Sequence, residues 1–302
     1  MSCPNATAPI DIVKNNAGVC DKKCDISYDY PNTSVVARNK GEYIRFSFDK
    51  SSTPPVFFNK EKYEVQEMRL FQPSLHTFSG SRASGEIIIV HNNLSSSRTL
   101  LVCIPLVTNA IKEGEVDALI NQVAQKANTV DSSTNINLNV FSLKKIVPSK
   151  PYFFYNGTLP YSPCNGSNDI VVYDKDHAVS ITASSFINLK RIVSASDYDV
   201  HNPKNGFFYN QEGPSNFTGG NGEDDIYFEC NPTGDDGETL VATKTISNTS
   251  GFDFTKYSWV LGAIFGALIL YVLMRFFGIA FNKIFNDSQS GGATPPMVNT
   301  NS

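Results

Sequence analysis

Sixteen consecutive residues, Trp259 to Met274, carry no charge, and after Arg275 the chain is apolar again from Phe276 to Phe281. Taken as one helix, Trp259–Phe281 is 23 residues and rises about 34 Å, enough to cross a hydrocarbon core of roughly 30 Å. A helix at the edge of a globular core keeps one polar face; this segment is apolar on all sides. It predicts a transmembrane helix over 257–282, followed by a short disordered tail over 283–302. Arg275 can snorkel to one interface, and Tyr257 and Trp259 suit the opposite one. Arg275 and Lys283 lie on the tail side, while Asp253 and Lys256 cancel on the other. The positive-inside rule then places the large N-terminal part outside and the tail inside. Gly262 and Gly266 form a small-xxx-small pair through which such helices approach closely, so a homodimer through this segment is expected as a weak preference. Residues 1–18 contain Pro4, Pro9, Asp11 and Lys14 and no apolar run, so no secretory leader is expected there.

Whatever precedes the span must fold as a tethered soluble domain. Its composition allows a real core: 41% of the chain is hydrophobic, with 21 Phe and 13 Tyr. Without Arg275, Lys283 and Asp287, the 25 basic and 29 acidic residues become 23 and 28, a net charge of −5. A nucleic-acid binder needs a basic face, so nucleic acid is not expected as a partner; membrane lipid is. The six cysteines, at 3, 20, 24, 103, 164 and 230, show no paired metal-ligand spacing. Cys103 falls in the apolar run Leu100–Val107 and is expected to be a buried free thiol; the others lie in turn-like segments where disulfides can form. Asn5, Asn32, Asn93, Asn156, Asn165, Asn216 and Asn248 each begin an Asn-x-Ser/Thr sequon.

Through residue 202 the pattern is mostly strands with short turns. Tyr43–Phe48 and Glu64–Leu70 alternate; Gly85–His91, Leu100–Val107, Ile170–Tyr173 and Ala178–Ile181 are apolar, β-branched runs. Val116, Leu119, Ile120 and Val123 recur at helical spacing and predict a helix over Glu115–Ala127, with a second over Ser185–Ile192. Residues 203–256 shift to Gly, Asn and Asp and read as an extension and stalk, with strands near Asp225–Cys230 and Thr239–Thr245.

Several segments carry a family likeness in order. Ala8-Pro9-Ile10-Asp11-Ile12, Gly41–Asp49, Arg69-Leu70-Phe71-Gln72, Gly85–Asn93, Val147-Pro148 and Tyr155-Asn156-Gly157-Thr158-Leu159 resemble successive motifs of the α-type carbonic anhydrases. The likeness spans roughly residues 8 to 200. It implies a domain over 1–202 of mainly β (α+β) class: a central twisted mixed sheet with a few peripheral helices, here with one C-terminal transmembrane helix added.

The same likeness implies a zinc site and then removes it. The chemistry needs three neutral imidazoles and a fourth position for water. The ligand positions fall on Ser74, His76 and Ile88, so only His76 is retained, on what reads as the strand Pro73–Thr77. The hydroxide-orienting Thr falls at Pro160 and the proton-shuttling His at Glu42. The hairpin between the zinc strands is also shortened. Glu86 matches the carboxylate that orients the missing third ligand and needs another buried partner. His91 matches a structural His, and His177 and His201 receive no chemistry. No metal and no cofactor are expected, and no catalytic residue is assigned. The likeness to extracellular members further implies a Cys20–Cys164 disulfide, with Cys24 pairing to Cys230 or Cys3.

A domain of this kind without zinc, ending in one span, is similar in architecture to the poxvirus envelope proteins that bind chondroitin sulphate. That similarity implies a non-catalytic virion membrane protein displaying a surface for host attachment, its partner a host-surface glycan or protein or another virion protein. The domain's negative charge argues against a strong sulphated-glycan site. The alternatives are a structural link between membrane and capsid and, least favoured, an active zinc carbonic anhydrase.

Overall fold

Runs that alternate, or that are rich in β-branched residues, become strands of one large sheet, as a side-chain period of two requires. The structure is a computed structural model and describes residues 3, 5–20, 24–161, 166–203, 206–217 and 274–275. Short strands β1 (Asp11–Ile12) and β2 (Gly18–Val19) open the chain. They lead into β3 (Ile26–Tyr28), β4 (Thr33–Asn39), β5 (Ile44–Phe48), β6 (Val56–Phe58) and the long β7 (Glu61–Phe71). A small hairpin, β8 (Thr77–Phe78) and β9 (Ser81–Arg82), precedes the central pair β10 (Gly85–Asn93) and β11 (Thr99–Val107). Helix α1 (Glu115–Lys126) is followed by β12 (Ser133–Phe141), β13 (Tyr152–Gly157), β14 (Asn168–Tyr173) and β15 (Val179–Ser180). Helix α2 (Ala183–Ile192) and β16 (Phe208–Asn210) complete the described elements.

The main sheet has the order β12-β4-β5-β7-β10-β11-β14-β13-β16-β2. It is mixed: β10 and β11 are antiparallel, β11 and β14 parallel. Alternate residues therefore feed two separate cores. One face (Ala37, Phe46, Met68, Ile87, Ile89, Val102, Ile104) packs under α1 and α2. The other (Ile88, Val90, Leu101, Cys103, Phe153, Tyr155) is covered by the N-terminal segment and by Leu75, Leu159 and Tyr161.

Both predicted helices form. In α1 the expected apolar positions Val116, Leu119, Ile120 and Val123 are all buried. Asp117 accepts from the Gly114 N–H at the helix start and from Thr182 at the start of α2, so one buried carboxylate ties the two helix N-termini together. Helix α2 begins two residues before the expected Ser185, because Thr182 caps it by accepting from the Ser185 N–H.

The sheet takes in part of the extension expected beyond residue 202, and two expectations are corrected. Strand β16 pairs with β13, the Ser215 N–H donates to the Ile26 carbonyl at 2.9 Å, and Phe217 packs edge-on against Phe57. The Gly- and Asn-rich composition past 202 hid a sheet strand only three residues long. Ala178–Ile181 is not one strand: a 3-10 turn over Lys175–His177 leads into the two-residue β15. Finally, Cys20 is bonded to Cys24, with Cα atoms 6.2 Å apart, and not to Cys164. The N–H of Cys20 donates to Tyr209 beside β2, and the carbonyl of Cys24 accepts from the Tyr152 hydroxyl. Anchoring both ends of this short loop to the same sheet edge brings the sulfurs together. Cys3 is also disulfide-bonded, which leaves Cys24 unavailable to it; Cys164 and Cys230 lie outside the described residues. Cys103 is buried and free, as expected.

Among the described residues no helix is long and apolar enough to cross a membrane. Of the expected span only Met274 and Arg275 are described, both helical and exposed. Gly262, Gly266 and the strands expected near Asp225–Cys230 and Thr239–Thr245 lie outside the described residues.

Candidate functional site

The positions singled out by sequence converge at the middle of the sheet, on the face away from the helices. Antiparallel pairing of β10 and β11 sets Ile88 opposite Cys103, and β7 sets Arg69 opposite Ile88 on the other side. The segment from Gln72 to His76 is not the expected strand. It is irregular, contains a cis Gln72–Pro73 bond, and delivers its side chains inward just before β8.

Ser74 is fully buried and closes a local turn: its Oγ donates to the His76 carbonyl at 2.6 Å and accepts from the Ala83 N–H at 2.8 Å. His76 has both ring nitrogens engaged. Nδ1 lies 2.5 Å from Glu86 Oε1, and Nε2 lies 2.7 Å from the Tyr155 hydroxyl. Glu86 Oε2 accepts from the N–H groups of Leu75 (2.6 Å) and His76 (3.0 Å). The expected extra partner of Glu86 is therefore His76 itself. Burial alone would raise the Glu86 carboxyl; the adjacent His76 ring and the three hydrogen bonds outweigh it and hold the group below the usual carboxylate range. Burial, reinforced by Glu86, pushes the Cys103 thiol well up, so it stays protonated.

A zinc ion of the expected kind does not fit these residues. Ile88 offers only an apolar side chain, 2% exposed, and the Ser74 hydroxyl and both His76 nitrogens already have partners. Leu75, Ile88, Leu159, Pro160 and Tyr161 line a half-open concavity at the site with a volume of about 10 Å³, at the limit of what one water needs. The side chains whose ligand atoms do cluster, within 4.8 Å, are His76, Glu86 and Cys103. Within this group His76 and Glu86 are hydrogen-bonded to each other, and the Cys103 thiol lies beside them.

Sequence reasoning missed Tyr155 and Tyr161 as site residues. Tyr155 was visible only as part of a motif, and its role depends on β13 lying three strands away from β10. Tyr161 stands one residue past Pro160 and stacks on Phe71; its hydroxyl is buried and has no hydrogen-bond partner among the described residues. Glu42, at the shuttle position, accepts from the Tyr198 hydroxyl at 3.4 Å. His91 lies behind the sheet, fully buried, with Nε2 3.0 Å from the Tyr30 hydroxyl. His201 bridges to Ile10 through its backbone.

The sequons separate by geometry. Asn32 and Asn216 are exposed. Asn93 is buried: its Nδ2 donates to Glu61 and its Oδ1 accepts from Ser95 and Ser96. Asn156 is exposed but donates to Asp169. Asn165 and Asn248 lie outside the described residues. If the chain is made in a glycosylating compartment, glycopeptide mass spectrometry is expected to find sugar at Asn32 and none at Asn93. Full occupancy at Asn93 would contradict the packing described.

Comparison with known proteins agrees with this architecture. The family model for eukaryotic-type carbonic anhydrase matches residues 3–203. Alpha carbonic anhydrase 7 of Arabidopsis thaliana is 25% identical over 160 residues, covering 52% of this chain and 56% of that protein. Alpha carbonic anhydrase 2 of the same plant is 21% identical over 160 residues, covering 52% and 63%. The chain thus spans less than two thirds of these relatives. Among solved structures, carbonic anhydrase Cah3 from Chlamydomonas reinhardtii in complex with acetazolamide superposes with a TM-score of 0.57 at 18% identity, covering 69% of this chain and 91% of that one. Dioscorin complexed with ascorbate gives a TM-score of 0.59 at 18% identity, covering 70% and 88%. Two thirds of the chain matches the family model, and the sheet, its register and the placement of Glu86 and His76 fit the resemblance read from the sequence: the chain belongs to the eukaryotic-type carbonic anhydrase family.

Proposed function

We propose that this chain is a non-catalytic member of its family, held in a virion membrane by Trp259–Phe281 and displaying its sheet domain as a surface for attachment to a host-cell glycan or protein. One observation carries the non-catalytic part. Of the three ligand positions, one is aliphatic, one is a hydroxyl used in a turn, and the one imidazole is held at both nitrogens. The concavity above them has a volume of about 10 Å³, at the limit of what one water needs, and the family's reaction depends on a metal-bound water. The membrane part rests on the apolar segment of the sequence, and the virion and attachment parts on similarity of architecture.

Stopped-flow CO₂ hydration in the presence of added zinc is expected to show no rate above the buffer background. His76→Ala is expected to leave that null result unchanged. Hydration that His76→Ala abolishes would overturn the proposal. Attachment is tested separately by protease treatment of intact particles: the domain is expected to be cut from outside, and a fully protected domain would favour a link between membrane and capsid instead.

A further inference from the structure

The register of β7 leaves a gap in the sheet. On the side away from β10, β5 pairs with β7 only at residues 68–70, and β6 pairs with it only at residues 61–63. Residues 64–67 of β7 have no strand neighbour on that side among the described residues. The loop over residues 49–55 joins β5 to β6 past this gap, and the adjacent Pro54 and Pro55 limit how it can fold inward. What remains is a half-open pocket of about 150 Å³. Tyr30, Phe48, Pro55, Val65 and Leu143 give it an apolar wall; Asp49, Lys50 and Glu64 supply its charges. Tyr30, Phe48, Val65 and Leu143 belong to the core under the helices. The pocket is therefore on the face of the sheet opposite the Ser74–His76–Ile88 site.

Both aromatic walls are held in place, Tyr30 stacked on Tyr28 at 5.3 Å and Phe48 on Phe141 at 5.9 Å. The Tyr30 hydroxyl is engaged with His91. Two carboxylates against one ammonium give the lining a net charge of −1. Hydrogen bonds from Ser34 hold the Asp49 carboxyl below the usual carboxylate range, so it is ionised at neutral pH. Glu64 lies 3.4 Å from Lys50, whose side chain is 81% exposed, a loose pair of the kind that contributes little. An aromatic cup with net negative charge selects a cation with an apolar surface. Asp49 Oδ2 and Glu64 Oε2 already have partners. That favours a cation held by charge and aromatic contact over one that must donate hydrogen bonds.

We infer that this pocket binds a quaternary ammonium group, its trimethylammonium head seated against Tyr30 and Phe48 and its charge balanced by Asp49 and Glu64. A cavity of about 150 Å³ holds a molecule of benzene's size, and a trimethylammonium head is comparable. A soluble choline-like molecule and a phosphocholine lipid carry the same head, and the test separates them. The inference is independent of the non-catalytic and attachment readings.

The test is saturation-transfer NMR on the full-length chain in maltoside detergent, which has neither choline nor aromatic protons. The chain is made without N-glycosylation, because the Asn32 sequon adjoins the pocket. Irradiating the protein's aromatic protons is expected to saturate the methyl protons of choline. The neutral tert-butyl analogue of choline, and ethanolamine, are each expected to bind at least fivefold more weakly. Dihexanoyl phosphatidylcholine binding more tightly than choline identifies a lipid head as the source; weaker binding identifies a soluble ligand. Phe48→Leu keeps apolar bulk at a half-buried position but removes the ring. Asp49→Asn can still accept from Ser34 but removes the charge. Each is expected to weaken choline binding about threefold to fivefold. Lys50→Ala removes the competing cation and is expected to strengthen it. Asp176→Asn, at an exposed carboxylate outside the pocket, is expected to bind as the parent does. No transfer to choline, equal binding of the neutral analogue or of ethanolamine, or choline binding unchanged in both Phe48→Leu and Asp49→Asn would each overturn the inference.

Discussion

Glu86→Ala is expected to destabilise the domain by about 3 kcal/mol or more, since three buried donors lose their acceptor at about 1–3 kcal/mol each. The carboxylate is fully buried and accepts from three donors. Alanine leaves the His76 imidazole in an apolar pocket with one ring nitrogen bare, and strips the Leu75 and His76 N–H groups of their only acceptor. Each orphaned buried donor adds a desolvation penalty. For a domain of this size the fall in Tm is expected to be roughly 10 °C or more. Glu86→Gln is expected to cost less, since an amide oxygen can still accept from the two backbone donors while the charge is lost. Urea unfolding of both variants measures the difference. A Glu86→Ala variant within about 0.5 kcal/mol of the parent, the range of an ordinary surface substitution, would show that the cluster does not hold this part of the fold together. The expected loss would mean that a carboxylate matching one that orients a metal ligand acts here on the retained histidine as a structural brace.

How much of this could be read from the chain depended on distance. Ser74 and Ile88 exclude an imidazole at two ligand positions by their chemistry alone, and the side-chain period of two in a strand over Gly85–His91 already places Glu86 and Ile88 on one face. What His76 does instead was not legible, because its partners come from β10 and β13, and Tyr155 lies 79 residues away. The disulfide was misread for the opposite reason. A family likeness supplied a long-range partner for Cys20, while the local geometry of two cysteines four residues apart, both tied to the same sheet edge, decided otherwise. Beyond residue 202 composition pointed to a stalk, and three residues of β16 were too short a pattern to resist it.

His91 is expected to set the acid side of the stability profile. It is fully buried between Tyr30 and the Leu100 carbonyl, and burial, only partly opposed by backbone hydrogen bonds, lowers its pKa to about 4. In the unfolded chain the same ring titrates near 6.5. Between those values the unfolded state binds the proton and the folded state does not, so stability must fall as pH falls through this window. The full loss is about 3 kcal/mol, from 1.36 kcal/mol per unit of pKa difference, and it is complete below pH 4. Glu86 acts lower still: its folded carboxyl is held below the ordinary range, so its contribution is intact above the unfolded carboxyl pKa and is lost only as pH drops beneath it. Unfolding free energies measured from pH 7 to 4.5 are therefore expected to decline along the His91 titration. His91→Gln lowers stability at pH 7 by removing a packed ring, but it is expected to flatten the slope across that window. A parent chain whose stability is flat from pH 7 to 4.5, or a His91→Gln variant with the parent's slope, would place the acid sensitivity elsewhere.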